Sequence, residues 1–364
     1  MKKTVYYLVF LMLITFAGCN NNTSTTIKIG ASLPLTGDFA SYGKRARNGI
    51  DLAVSEINIS KKYTDKIEIV YQDNKGGPKE SVNIMNMFAT INKYPIVIGG
   101  ASSMETLAML PIANVNDVVL ISPISSSPDL SMNDNFFRVC PSDAYQAVMM
   151  ANWLKELKLS NVALLYVNSN WGVSLKNQYI KNFEANGGKI SIIESMNEGE
   201  RDFKTQISKI IKANPEAIYC VSYGAEGGII LKQLKEFGYK KQIFGADVWS
   251  SPELLKSAGD AAEGVYLIKP AEYTGNRFVE FEKKYKAKYK ENPDVYAAYS
   301  YDVAYIIAEA LSNTDGSGKE VKRYLLKMNG FDGATGITKF DALGDCNTKQ
   351  FVRLQIRNGI YKKL

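Results

Sequence analysis

Histidine is missing from all 364 residues. That absence removes Ser-His-Asp and Cys-His nucleophile systems, and histidine-ligated zinc, in one step. A carboxylate- or lysine-based enzyme survives the cut, but no paired-carboxylate motif points to one, so the chain reads as a non-enzyme. Cysteine is scarce, and Cys140, Cys220 and Cys346 lie far apart with no C-x-x-C spacing, which argues against metal and redox sites. Cys220 sits in a strand-like run and reads as a buried apolar residue. The sequence allows one disulfide among the three, with one thiol left over. After Phe16 no apolar run is long enough to span a bilayer. There is no basic stripe, zinc-finger spacing or aromatic-basic motif, so nucleic acid is not an expected partner. Gly224, Gly227 and Gly228 cluster after a strand, but no G-K-[ST] follows and the G-x-G-x-x-G spacing fails. No cofactor is expected.

What is present begins with an address. Lys2 and Lys3 lead into an apolar run over residues 5–16 and then Ala17-Gly18-Cys19. This is the order of a signal peptide (residues 1–18): charged start, short apolar core, small-residue cleavage site. Cys19 after Ala-Gly resembles the lipobox of bacterial lipoproteins, in which the cysteine is lipidated; Phe16 departs from it, an aliphatic residue being more usual there. Residues 19–26 are polar and suit a tether. The expected location is extracytoplasmic, periplasmic or cell-surface, on a membrane through lipidated Cys19. Each lysine lost subtracts one charge, so removing Lys2 and Lys3 takes the net charge from +7 to +5, a mild and dispersed excess.

The chain is organised around residues 97–122, VIGGASSMETLAMLPIANVNDVVLIS. An apolar run reads as a buried strand, Gly99-Gly100 turn the chain, and Ser102 with Glu105 forms an S-x-x-E capping box. A helix to about Asn116 and a second apolar strand over 118–121 complete a βαβ unit with a right-handed crossover. The helix N-terminus then offers free N–H groups and partial positive charge beyond the strand, with the Ser103 hydroxyl in its first turn. Such a place suits a small anion, most simply a carboxylate.

The same alternation runs along the chain. Strands over 26–33 and 67–71 flank a helix over 42–58, and a helix over 78–91 leads to the central unit. A second set restarts after 136–139, with helices over 143–157, 172–186, 203–213 and 227–237 interleaved with strands over 162–167, 190–194, 217–221 and 242–245. A short helix over 252–257 and a strand over 264–268 follow. Helices over 277–290, 295–312 and 319–328 come next, and two segments, 336–340 and 350–357, read as a closing hairpin. The pattern predicts an α/β fold of two doubly wound parallel-sheet lobes. Ligands of open α/β sheets sit beyond the carboxyl ends of the strands.

The turns there read GASLPLTGDFASYG, then GIDLAVSEIN, VIGGASS and ISPISSS. Together, and in this order, they resemble the leucine/isoleucine/valine-binding branch of the type I periplasmic binding proteins, the solute receptors of amino-acid ABC importers. The resemblance runs from Ile27 to Lys362. It implies two lobes, 27–140 plus 271–345 and 141–270 plus 346–364, joined by a three-strand hinge near residues 140–142, 269–272 and 344–348. It also implies an ABC permease partner in the membrane and a small zwitterionic ligand, an amino acid of branched-chain or related type. Ser103 falls where a serine and its amide hold the ligand carboxylate, Ile124 where a main-chain carbonyl accepts from the ammonium, and Ser126 where a hydroxyl and amide contact the same groups. Trp171 replaces an aromatic that covers the ligand, Tyr223 matches a second-lobe tyrosine, and Asp247 falls where an acid pairs with the ammonium. Tyr42 and Tyr296 match aromatics of the side-chain pocket. Two departures count: the cysteines some members carry at the equivalents of Lys75 or Gly76 and of Ser102 are missing, and Trp171 in place of tyrosine reshapes the pocket. A sensory module, or a binder of small amides or aromatic acids, would use the same fold.

Overall fold

The structure, a computed structural model, describes residues 26–63, 65–132, 134–271 and 273–364. The signal segment, Cys19 and most of the tether lie outside these residues; Thr26, placed at the tether's end, already pairs with Lys66. Among the described residues no helix is long and apolar enough to cross a membrane.

In chain order, β1 (Thr26–Leu33), α1 (Ala40–Ile59), β2 (Lys66–Asp73), α2 (Pro78–Asn86), β3 (Ile96–Gly99), α3 (Ser103–Val115), β4 (Val119–Ser122) and β5 (Phe136–Arg138) open the first lobe. A crossing leads to α4 (Asp143–Glu156), β6 (Asn161–Val167), α5 (Asn170–Ala185), β7 (Lys189–Met196), α6 (Lys204–Ala213), β8 (Ala217–Val221), α7 (Gly224–Glu236), β9 (Gln242–Gly245), α8 (Pro252–Ala258) and β10 (Tyr266–Pro270). The chain then returns with α9 (Asn276–Tyr289), α10 (Val295–Ser312), α11 (Gly318–Lys327), β11 (Phe331–Gly333) and β12 (Gly336–Thr338). It crosses a third time to end in β13 (Phe351–Arg357) and β14 (Ile360–Lys363).

The first sheet is parallel throughout, in the order β2-β1-β3-β4-β5. The parallel part of the second, β7-β6-β8-β9-β10, repeats that order, and β13 and β14 extend its edge antiparallel. Each sheet therefore reverses direction beside its first strand, the doubly wound arrangement expected. Its central strands are buried on both faces, as β3 (IVIG) and β4 (VLIS) read. On the first lobe α1 lies directly against α10. A Cβ on Gly49 would fall 2.1 Å from the Ala297 carbonyl oxygen, so only glycine permits this approach.

Three expectations are corrected. The segments 336–340 and 350–357 do not pair with one another: β12 pairs with β11, and β13 with β10 and β14. The turn joining β13 to β14 is Asn358-Gly359, with φ of 54° and 69°, the left-handed pair a two-residue hairpin requires. Helices α5 and α7 begin earlier than their apolar spacing suggested, because Ser169 caps α5 and Tyr223 precedes α7. The helix over 78–91 is α2 continued by a π-helical turn, Met87–Ile91.

At the hinge Arg138 is fully buried. Its Nε donates to Asp345 Oδ1 (2.7 Å), one terminal nitrogen donates to the Ser127 carbonyl (2.7 Å) and the other to Ser131 Oγ (2.6 Å). Ser131 in turn donates to Asp345 Oδ2 (2.7 Å).

Candidate functional site

The loops after β3 and β4 are stapled together beneath the α3 N-terminus. Ser102 is the helix cap and its Oγ accepts from the Glu105 N–H (3.3 Å). The Glu105 carboxylate folds back to accept from the Ala101 N–H (3.0 Å) and Asn74 Nδ2 (2.9 Å), filling the space a Cβ on Gly100 would need. Burial raises the pKa of this carboxyl, and the donors offset part of the rise. Ser122 Oγ donates to the Gly100 carbonyl (2.7 Å) and accepts from the Ile124 and Ser125 N–H groups, which folds the second loop onto the first.

These contacts fix two serines in opposite senses. Ser103, buried at the start of α3, accepts at Oγ from the Ser127 N–H (3.1 Å), which leaves its hydroxyl proton free to donate. Ser126 donates its own proton to Asp143 Oδ2 (2.7 Å), which leaves only acceptor lone pairs for anything in the cleft. Asp143 begins α4 after the first crossing, so this bond also ties the lobes together.

From the second lobe, Ser169 caps α5 by accepting from the Gly172 N–H (3.1 Å) and sets Trp171 in the first turn. Trp171 Nε1 also donates to Asp143 Oδ2 (2.6 Å), so the indole meets the cleft as an apolar wall. It stacks on Tyr223 (centroids 5.1 Å, 24°), whose ring receives the edge of Phe39 from the first lobe (5.1 Å, 82°). Tyr42 and Tyr296 form a second edge-to-face pair at 5.5 Å. Asp247 is buried in the turn after β9. Gln146 of α4 accepts from the Asp247 N–H (2.8 Å), and its Nε2 donates both to Asp143 Oδ1 (2.5 Å) and to Asp247 Oδ1 (3.0 Å).

All eight residues singled out from the sequence line one cavity between the lobes. Ser103, Ile124 and Ser126 line its first-lobe floor, Tyr42 and Tyr296 one side, and Trp171, Tyr223 and Asp247 the second-lobe face. Among the described lining residues none is a lysine or arginine, and Asp247 is the one carboxylate. Both acids have raised pKa values, chiefly through burial: the Asp143 rise is opposed by its three donors, whereas the Asp247 rise is increased by the negative charge of Asp143. Burial likewise keeps the Tyr42, Tyr223 and Tyr296 phenols neutral.

Sequence reasoning missed Asp143, Gln146, Phe39 and Tyr299. An acid after a Ser142 cap reads as ordinary helix-dipole chemistry, and nothing in the spacing joins it to Ser126 or Trp171. Phe39 lay within the GDFASYG turn, where its aromatic character was the available signal. The open disulfide question closes, since Cys140, Cys220 and Cys346 are all free and buried. Among the described residues no cluster of acids or cysteines could hold a metal ion.

Comparison with known proteins agrees with this fold. A Leu/Ile/Val-binding protein homologue of Brucella abortus is 28% identical over 366 residues, covering 99% of this chain and 97% of its own. The crystal structure of a leucine-binding protein from Thermotoga maritima superposes with a TM-score of 0.85 at 28% identity, over 93% of this chain and 97% of that one. The branched-chain amino acid transporter substrate-binding protein of Streptococcus pneumoniae, solved with isoleucine, gives 0.84 at 29% identity, over 93% and 98%. The periplasmic binding protein family matches residues 26–354, which with the paired doubly wound lobes and the cleft between them means that this chain belongs to the periplasmic binding protein family.

Proposed function

We propose that this chain is the extracytoplasmic solute-binding component of an ABC transporter and captures a free α-amino acid with an apolar side chain, branched or related, between its lobes. The observation that carries the reading is the polarity of the cavity: an uncommitted donor, Ser103 at the α3 N-terminus, lines the same cavity as the acceptors Ser126, beside it on the first lobe, and Asp247 on the second. A zwitterion needs that pairing, because a buried charge is tolerated only with a partner. In this reading Ser103 and the first amides of α3 hold the carboxylate, while the Ile124 carbonyl, Ser126 Oγ and Asp247 receive the ammonium. Tyr42, Tyr296, Trp171 and Tyr223 enclose the apolar side chain, and the names of the relatives favour the branched-chain class. The lobes, 27–140 plus 271–345 and 141–270 plus 346–364, close by rotation at the three crossings. The closed form is what a membrane permease recognises, and lipidation at Cys19 holds the receptor beside it.

A thermal-shift screen of the purified protein against amino acids, small amides and aromatic acids tests this. A native-state ligand raises the midpoint by mass action. Shifts with α-amino acids support the zwitterion clamp; shifts only with amides or plain carboxylates remove Asp247 as the ammonium's partner and refute the amino-acid assignment.

A further inference from the structure

Asp143 lines no part of the cavity, yet it is fully buried against it and every one of its contacts is a donor. Oδ2 accepts from Ser126 Oγ (2.7 Å) and Trp171 Nε1 (2.6 Å), and Oδ1 from Gln146 Nε2 (2.5 Å). An indole N–H cannot accept, and the Gln146 amide is fixed with its NH₂ toward the carboxylates because its oxygen accepts from the Asp247 N–H. Of its three partners only the Ser126 hydroxyl could turn to accept a proton, so the contacts favour the anion at Asp143 over the acid.

Asp247 is placed differently. One side-chain donor reaches it, the same Gln146 NH₂ at 3.0 Å, together with the backbone N–H of Val248 and its own. The titratable groups facing it are Asp143 from α4, Tyr42 from α1, Tyr296 from α10, Tyr219 from β8 and the Cys140 thiol at the first crossing. None is a cation. Arg138 reaches Asp143 electrostatically but is bonded to Asp345. Two buried carboxyls thus share the one Gln146 NH₂ with no cation between them, and Asp143 holds the larger set of side-chain donors.

We propose that Asp143 is a positioning residue that sets the selectivity of the cavity: held as the anion, it obliges Asp247 to carry a proton until an amine replaces it. The inference rests on the amino-acid reading above. In the capture step the ligand's ammonium stays protonated, the Asp247 O–H bond breaks, its proton goes to solvent, and the carboxylate pairs with the ammonium. No other bond changes. A carboxylic acid without the amine leaves that proton in place, so the two ligand classes respond to pH differently. Amino-acid affinity rises with pH, by up to ~10-fold per unit below the Asp247 titration, while affinity for a plain carboxylate does not.

The test follows Asp247 itself, by carboxyl ¹³C NMR of the aspartate-labelled protein without ligand, assigned through Asp247→Asn. In the wild type the Asp247 carboxyl should titrate above the ordinary aspartate range, and in Asp143→Asn it should move down toward that range. An identical titration in both overturns the proposal. Should Asp143→Asn fail to fold, Trp171→Phe keeps the ring and removes one donor from Asp143. The shared proton then moves toward Asp143 and the Asp247 titration falls; no movement overturns the proposal equally. Calorimetry with L-leucine in two buffers of different ionisation heat should show proton release on binding in the wild type and its loss in Asp143→Asn. If L-leucine gives no heat at any pH, the branched-chain assignment falls, while the NMR comparison still decides the role of Asp143.

Discussion

Ser103 and Ser126 meet the cleft with opposite ends of the same functional group, and their neighbours decide which. Ser103 is held by an N–H and keeps a proton to give, whereas Ser126 has given its proton away. Ser103→Ala should therefore weaken L-leucine binding by roughly 1–3 kcal/mol, because a charged ligand group loses a buried donor; calorimetry reads this directly, and an unchanged affinity would sink the orientation proposed. The two acids predict a pH dependence of stability. Both have raised pKa values, so the native protein keeps protons that the unfolded chain has released. Stability without ligand should then fall as pH rises from about 4, where an unfolded aspartate titrates, and level off once Asp247 has ionised. Glu105, Asp294 and Asp302 contribute slopes of the same sign, so the diagnostic quantity is the difference between wild type and Asp247→Asn, whose melting temperature should vary less with pH. At this scale six of the eight cavity residues follow a strand end, where the α/β pattern concentrates ligand groups; Tyr42 and Tyr296 lie on helices and were legible only through the family resemblance. Asp143 was not, since its importance comes from donors on α5 and on the first lobe that no sequence spacing joins to it.

Among elements, the contact of α1 with α10 is the tightest constraint described. Gly49→Ala puts a methyl where the Ala297 carbonyl stands and should cost about 1–3 kcal/mol as the helices separate, read as a lower urea midpoint with the slope unchanged. Arg45 of α1 reaches across the cleft to Glu253 of α8 (2.5 Å) while its Nε stays near Asp294 (3.3 Å). The pair is part-exposed, so Glu253→Gln should reduce L-leucine affinity by only about 0.2–1 kcal/mol, with a larger radius of gyration in the unliganded protein by X-ray scattering. Strong periodicity made the helices and buried strands readable. The short β14 (IYKK) carries no such pattern and was not expected from the sequence; the signal available for it was Asn358-Gly359, turn chemistry rather than hydrophobicity.

For the whole molecule, the hinge depends on an ion pair that water does not reach. Asp345→Ala would strand the Arg138 guanidinium and should cost about 3–5 kcal/mol in urea unfolding, far more than any surface pair here. The interleaving of the lobes has a further consequence, for the order in which the protein can be made. A chain delivered amino end first presents α1 long before the helix it rests on, and the face around Gly49 stays uncovered until residues 295–312 arrive. The second lobe's parallel strands, by contrast, all lie within residues 161–270 and can assemble as they emerge, lacking only the edge strands β13 and β14. The lobe that starts first is therefore completed only after the middle of the chain has been delivered, and a nascent chain halted near residue 270 would hold one nearly finished half and one with its apolar face open to any holding chaperone.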